Sequence, residues 1–355
     1  MILKRLKLTF FFFILALPIR ADAEASPVWI DTDISAGIPY HDVDDGYAML
    51  HAIRRFPERI KGIGLSFGNT DDLEREKSIL LTLLKDEDQE RIPIYLGARN
   101  PRDFYTPAAR ALADALKELP PSERMTILAL GRATNIRAAL EIYPEGAKKI
   151  REFIFNAGRR YESEARVGRF KLRLPDSNYW GDESSFRRLI LLGVPVTLVP
   201  ADLARYAIIT PNTLKSWRGH SAGLDRMVNW TKGWMRTWRI GLGEKGFWPF
   251  DLMVTAAVSE RDEMICDENI PLRFLTYRRR DLLHWGWKKK TRPVVSYSFG
   301  ESFPKVTYCD RATDRFRGRV IDAIRILSRK SQAVYSVISV SSVRNRESRR
   351  TPDFP

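Results

Sequence analysis

Cysteine is nearly absent from this chain of 355 residues: Cys266 and Cys309 are its only two. Neither lies near the amino terminus, which argues against a lipid-modified cysteine behind a leader. A membrane-spanning run is missing as well. The apolar segment 8–17 falls short of the ~20 residues that a spanning helix needs, so no stable membrane anchor is expected. No internal repeat and no linker composition divides the chain, which leaves one domain as the simpler organisation. Basic residues outnumber acids, 59 to 44, for a formal net charge of +15. They are scattered, however, apart from Arg278-Arg279-Arg280 and Lys288-Lys289-Lys290. Without a basic stripe no nucleic-acid partner is expected, and the surplus reads as solvated surface.

What is present at the amino terminus is a basic segment, the phenylalanine-rich run 8–17, and Ala21-Asp22-Ala23, a small-x-small cleavage site. Together they describe a signal peptide over 1–23 and predict a secreted or periplasmic protein. In such a compartment Cys266 and Cys309 are able to pair, although spacing alone does not bring them together. Residues 24–330 read as the folded domain. Residues 331–355, rich in serine and arginine, read as a disordered tail.

Within the domain, strand-like and helix-like segments alternate. Strands are expected at 28–30, 60–67, 92–96, 125–130, 153–157 and 195–200. Helices are expected at 73–84, 108–119 and 133–142. The fold class implied is α/β: an open, mostly parallel, doubly wound (Rossmann-like) sheet with additional C-terminal helices. Those helices are placed at 211–217, 224–240 and 250–260, followed by a hairpin or sheet edge around 271–277 and 293–298 and a closing helix over 312–327. Trp230, Trp234 and Trp238 share one helix face, a stripe that is more often core than binding surface.

The first strand leads into the most acidic part of the chain, with Asp31, Asp33, Asp42, Asp44 and Asp45 inside fifteen positions. Carboxylates this close repel one another and remain ionised together only around a cation. Oxygen ligands favour Ca²⁺ or Mg²⁺. A plainer reading gives Asp44 and Asp45 only the task of charging a helix amino terminus. The carboxyl edge of a parallel sheet is where such folds bind ligands, and the Asp-x-Asp stands there.

Ile30-Asp31-Thr32-Asp33 and Asp44-Asp45-Gly46-Tyr47-Ala48 resemble the two halves of the signature of the inosine-uridine preferring nucleoside hydrolases. The segment 34–43, which carries His41, makes the turn between them about seven residues longer than is usual there, and Gly46 replaces an alanine. Gly68-Asn69, Leu130-Gly131, Thr134-Asn135-Ile136, Asp176-Ser177-Asn178 and Trp248-Pro249-Phe250-Asp251 match later family segments progressively less closely. No asparagine within 161–175 takes the place of a further family asparagine.

The resemblance implies hydrolysis of the N-glycosidic bond of ribonucleosides to free base and ribose, using a water held on Ca²⁺. Ligands implied are Asp33, Asp45, the Leu130 carbonyl and Asp251, with Asp31 supporting them from behind. Asp33 is also the implied general base, with Asn69 beside the water or the ribose. Asp44, Asp176 and Asn178 are implied to grip ribose, and Trp234 and Phe250 to face the base. Phe250 stands where the family has a histidine that protonates the leaving base, and His41 is the nearest replacement in sequence. The implied partner is a small-molecule riboside, with a homo-oligomer possible. Two other readings stay open: an exported non-catalytic protein that binds a riboside or glycan, and a phosphatase with Asp31 as nucleophile.

Overall fold

Val28, Trp29 and Ile30 can be buried on both faces only if the strand they form is covered by helices above and below. In the computed structural model, which describes residues 26–161, 166–281 and 286–326, that strand is β1 (Val28–Thr32) and all five of its residues are buried. The signal peptide expected over 1–23 and the tail expected over 331–355 lie outside the described residues.

From β1 the chain runs through α1 (Asp44–Arg55), β2 (Ile60–Leu65), α2 (Leu73–Asp86), β3 (Ile94–Tyr95), α3 (Pro107–Glu118), β4 (Met125–Ala129), α4 (Thr134–Ile142) and β5 (Ile150–Phe155). Short strands β6 (Arg159–Arg160), β7 (Arg166–Val167) and β8 (Leu172–Arg173) follow, then α5 (Ser177–Gly181), α6 (Glu183–Ile190) and β9 (Val196–Leu198). The C-terminal part comprises α7 (Ala201–Ala204), α8 (Pro211–Trp217), α9 (Ala222–Thr237), α10 (Phe250–Ser259), β10 (Met264–Asp281), β11 (Gly286–Val295), β12 (Lys305–Ala312) and α11 (Phe316–Arg325).

The main sheet has ten strands in the order β3-β2-β1-β4-β5-β9-β12-β10-β11-β6. Strands β3 through β9 in that order are parallel, and β12 extends the parallel set beside β9. The order reverses direction between β1 and β4, so the loops after these two strands diverge and open a crevice at their carboxyl ends. Asp33 and Arg132 emerge there. Among the described residues no helix is long and apolar enough to cross a membrane.

Several boundaries differ from those expected, most of all near the carboxyl end. The hairpin is much longer than its apolar runs, since β10 and β11 extend through Tyr277 opposite Lys290 and Arg278 opposite Lys289. The segment Lys305–Ala312, to which the sequence pattern assigns no element, is a strand, and the closing helix expected from 312 begins at Phe316. Its lysine, aspartate and arginine hide an inner set of buried residues, Val306, Tyr308, Cys309 and Ala312. Because β12 pairs with β10 in a register that sets Cys309 opposite Cys266, the two cysteines form a disulfide.

Helix α1 is buried along nearly its whole length, from Asp44 to Arg54. A charge at its far end therefore needs partners inside the protein. Arg54 donates to both oxygens of Glu87 at 2.8 and 2.6 Å, to the Ile324 carbonyl and to Ser221, the cap of α9. One guanidinium thus ties α1 to the end of α2, the start of α9 and the end of α11. Removing one partner of a buried ion pair costs about 3–5 kcal/mol, because the other charge stays behind unpaired. Arg54→Ala should lower stability by about that amount in a denaturant titration; a loss under ~1 kcal/mol would mean the pair contributes little.

Candidate active site

The carboxylates of the first motif converge, each held by a different device. Asp31 points back into the fold: its oxygens accept from Asn135 Nδ2 at 2.8 Å and Trp29 Nε1 at 3.1 Å. Asn135 also binds the Leu65 carbonyl and the Ala98 amide, so Asp31 braces β1, β2 and α4 against one another. Burial pushes its carboxyl up to about 7, against the pull of these donors. A phosphatase nucleophile would have to face solvent, and Asp31 does not.

Asp33 faces the crevice. Its Oδ2 accepts from the Asn69 amide and from Arg132 Nη1, both at 3.0 Å. Burial raises it to about 6, with Arg132 opposing and Asp44 reinforcing the rise. Asn69 Nδ2 spans Asp33 Oδ1 at 3.4 Å and Asp45 Oδ2 at 3.3 Å. Gly-Asn after β2 is therefore more than a turn: it links two acids that come from different elements.

Asp44 and Asp45 open α1, and Asp251 lies in the first turn of α10. The Asp251 amide donates to Asp44 Oδ2 at 3.0 Å, Thr32 donates to Asp45, and Asn156 Nδ2 donates to Asp251 Oδ1 at 2.9 Å. One oxygen from each of Asp44, Asp45 and Asp251 falls within 4.8 Å of the others. Asp45 and Asp251 are both held well above the usual carboxylate range, first by burial and then by the charges of neighbouring aspartates, Asp33 and Asp44 among them. An all-oxygen set of mutually repelling acids fits a hard divalent cation.

The Leu130 carbonyl, at the end of β4, accepts from Asn178 Nδ2. Asp176 caps α5 through the Tyr179 amide and also accepts from the Gly158 amide at 3.0 Å. Asp182 caps α6 through the Ser185 amide, the bland role its position suggests. A cavity of about 400 Å³ adjoins these residues, lined on its polar side by Asn156, Asp176 and Asn178 and on its apolar side by Trp234, Trp238 and Phe250.

The tryptophan stripe divides accordingly. Trp234 and Trp238 face the cavity, their rings 6.2 Å apart, while Trp230 packs against Gly37 of the 34–43 segment. His41 hydrogen-bonds through Nδ1 to the Asn69 carbonyl at 3.1 Å, and from that segment it is Asp42 that lines the cavity.

Two residues of the site escape sequence reasoning. Asn156, at the carboxyl end of β5, holds Asp251 and lines the cavity; the strand-end position that marks Asp33 marks it too. Arg132 reads as an ordinary basic residue between Gly131 and Ala133, and its pairing with Asp33 spans 99 positions.

The profile of the inosine-uridine preferring nucleoside hydrolase family matches residues 28–296. Among solved structures, a plant nucleoside hydrolase is similar with a TM-score of 0.65 and 18% identity, covering 84% of this chain and 98% of its own. A purine-preferring ribonucleoside hydrolase from Gardnerella vaginalis gives 0.65 at 15% identity with coverage of 84% and 98%. An inosine-uridine preferring nucleoside hydrolase from Bacillus anthracis gives 0.61 at 15% identity with coverage of 84% and 99%. No curated protein matches the sequence. At these identities the structural likeness speaks for the fold, and it agrees with the match along the sequence: the chain belongs to the inosine-uridine preferring nucleoside hydrolase family, a family of N-ribosyl hydrolases.

Proposed function

We propose that this chain hydrolyses ribonucleosides to base and ribose with the aspartates at the carboxyl ends of β1 and α10's first turn as its working groups. The observation that carries the proposal is that the adjacent Asp44 and Asp45 and the distant Asp251 offer oxygens within 4.8 Å of one another beside a cavity with one polar and one aromatic wall. Asp33, Asp45, Asp251 and the Leu130 carbonyl would hold a Ca²⁺ ion, with Asp44 beside them. Bound there, the ion would supply charge to order the ribose diol and to acidify a water. Deoxyribosides, lacking one hydroxyl, should then be poor substrates.

The remaining roles fall to the chain's own groups. Asp33, held by the Asn69 amide, takes the proton from the attacking water. Asn156, Asp176 and Asn178 position the sugar. Trp234, Trp238 and Phe250 stack the base, whose flat face suits aromatic rings. The alternative, a riboside-binding protein without turnover, draws support from the ion pair of Asp33 with Arg132 and from Phe250, which has no proton to give.

Release of free ribose from a panel of ribonucleosides, with and without a chelator, separates the two readings. Activity that the chelator abolishes and Ca²⁺ restores is expected. Asp45→Asn should lower kcat/KM by more than about a hundredfold, exceeding what loss of a supporting partner costs; binding without ribose release in the wild-type protein would leave the non-catalytic reading standing.

For the leaving group, we propose His41 as the proton donor. Its Nδ1 proton is committed to the Asn69 carbonyl, so Nε2 is the atom available for exchange. General-acid help is worth about 10²–10⁴-fold and matters only when the leaving group needs a proton. His41→Ala should lower turnover of inosine by about tenfold or more and spare p-nitrophenyl riboside. An equal loss on both substrates, or on neither, would reject His41 and leave stacking alone to assist departure.

We also propose export. The amino-terminal pattern supports it, and so does the Cys266–Cys309 disulfide, since such bonds persist in oxidising compartments. Mass spectrometry of the mature protein should find the chain beginning at Glu24; soluble cytoplasmic protein retaining Met1 would end the idea.

A further inference from the structure

The long hairpin carries a charge pattern that the sheet does not require. β10 pairs with β12 as far as Pro271 and with β11 from Leu272 to Asp281, while β11 meets β6 only at Val294 and Val295. The stretch between is a two-stranded ribbon. Its base is held against α5: Tyr179 Oη shares a hydrogen bond with Thr291 Oγ1 at 2.6 Å, Trp180 Nε1 donates to the Thr291 carbonyl at 3.1 Å, and the rings of Tyr179 and Phe274 stack 6.0 Å apart. Past Tyr277 the strand continues from Arg278 to Asp281, a further ~13 Å at about 3.3 Å per residue.

In this outer part the register sets like charges opposite one another. Arg278 pairs with Lys289 and Arg279 with Lys288, while Lys290 stands opposite Tyr277 and Arg280 opposite Trp287. Like charges directly opposite weaken an antiparallel pair, and a two-stranded ribbon has little stability to spare. Lysine on an exposed strand serves elsewhere to deter edge pairing, but that needs a charge or two rather than a triplet on each strand. Successive positions alternate between the faces of a strand, so 278, 280 and 289 fall on one face of the ribbon and 279, 288 and 290 on the other. Six cationic positions therefore ring it. Arg278 and Lys289 are exposed, and Asp281 is the only acid in the sequence from Arg278 to Lys290.

That distribution selects the partner. A nucleic acid meets a basic element from one side and calls for charge clustered on one face. A ring of cations near the end of a ribbon suits a plane entered end-on, where anionic head groups lie on every side of the element. The sequence enclosed by the two triplets agrees by composition, with Leu282, Leu283, Trp285 and Trp287. Tryptophan and leucine favour the boundary between head groups and acyl chains, and cations beside them meet phosphates.

We propose that the β10–β11 hairpin is a docking element for the surface of an anionic phospholipid bilayer, held there by the cations of the ribbon. The attachment is peripheral and needs no spanning helix. Because the base of the ribbon rests on α5, which carries Asn178 on the polar wall of the cavity, docking also fixes where that cavity sits above the bilayer.

Flotation of the purified protein with phosphatidylcholine vesicles, with and without one third phosphatidylglycerol, tests it. Wild type should bind the anionic vesicles at least about tenfold more tightly than the neutral ones and lose that margin in high salt. Arg278→Glu combined with Lys289→Glu should weaken binding to the anionic vesicles by about tenfold or more. Arg278→Gln combined with Lys289→Gln should weaken it by about threefold or more and melt no lower than wild type, since the charges it removes oppose each other across the ribbon; should the glutamates prevent folding, this pair decides. Arg110→Glu combined with Lys215→Glu makes the same change in net charge at exposed positions of α3 and α8, and should stay within about threefold of wild type. All variants share one amino terminus, so the segment 8–17 contributes equally to each. A wild type without preference for anionic vesicles overturns the proposal, and so does unchanged binding by the glutamine pair. A loss in the Arg110 and Lys215 variant as large as that in the hairpin variant would trace the binding to net charge and overturn it too. Polyuridylate bound as tightly as the anionic vesicles, and lost with the same hairpin substitutions, would make the partner a nucleic acid and overturn it as well.

Discussion

Mutual repulsion among buried carboxylates is the constraint from which the rest of this site follows. Asp31, Asp33, Asp44, Asp45 and Asp251 are all nearly or fully inaccessible to water, so neither solvent nor salt relieves them. The surroundings answer with donors: the Asn69 and Asp251 amides, the side chains of Asn69, Asn156, Asn135 and Thr32, and the guanidinium of Arg132. Neutral dipoles of this kind lower the cost of each acid without abolishing the repulsion between them. Glu76 shows the limit of the arrangement. Buried in α2 with neither oxygen hydrogen-bonded among the described residues, it is pushed up to about 10, by burial first and then by Asp33 and Asp45, and so stands neutral at physiological pH.

A site so costly persists because the rest of the fold is ordered around it. The reversal of strand order between β1 and β4 opens space at Asp33, and α1 begins beside it with two acids in its first turn. Its far end is fastened by Arg54 to three other helices. The acids that open α1 are thus carried by a helix anchored at its opposite end. Asp31 faces into this support, its hydrogen bond from Asn135 joining β1 to α4.

How much of this was legible in the sequence depends on whether a residue acts through local pattern or through distant contact. The parallel sheet was legible because β1, β4 and β9 are short, mostly apolar runs separated by amphipathic helices. The acidic motif was legible because it is dense and follows such a run. β12 was not, since Lys305, Asp310 and Arg311 break up its apolar sequence. The disulfide became visible only with the register of β10 against β12. Arg132 and Asn156 were the harder losses: neither is unusual locally, and each has meaning only through partners 99 and 95 positions away. The tryptophan stripe erred in a different way. Helical spacing put Trp230, Trp234 and Trp238 on one face correctly, but one face of α9 meets both the 34–43 segment and the cavity.

The 34–43 segment joins the two halves of the site. Ile34, Ala36 and Ile38 are buried, and Ser35 Oγ donates to the Asp42 carbonyl at 3.0 Å, so the segment is a packed element. Gly37, at φ +87°, lies flat against Trp230, where a Cβ would stand 2.8 Å from the indole; both the backbone angle and the close approach call for glycine. At the segment's other end His41 binds the Asn69 carbonyl and Asp42 accepts from the Val43 and Asp44 amides, at 2.7 and 3.2 Å. One short stretch of chain is therefore fixed both to α9, which carries Trp234 on the aromatic wall, and to the loop and helix that carry Asn69, Asp44 and Asp45. A shift of α9 away from the sheet would have to break the Gly37–Trp230 packing or drag the acidic loops with it. The aromatic wall of the cavity and the acidic loops beside it are consequently coupled in position, and a ligand that spans sugar and base meets both at a spacing set by the protein.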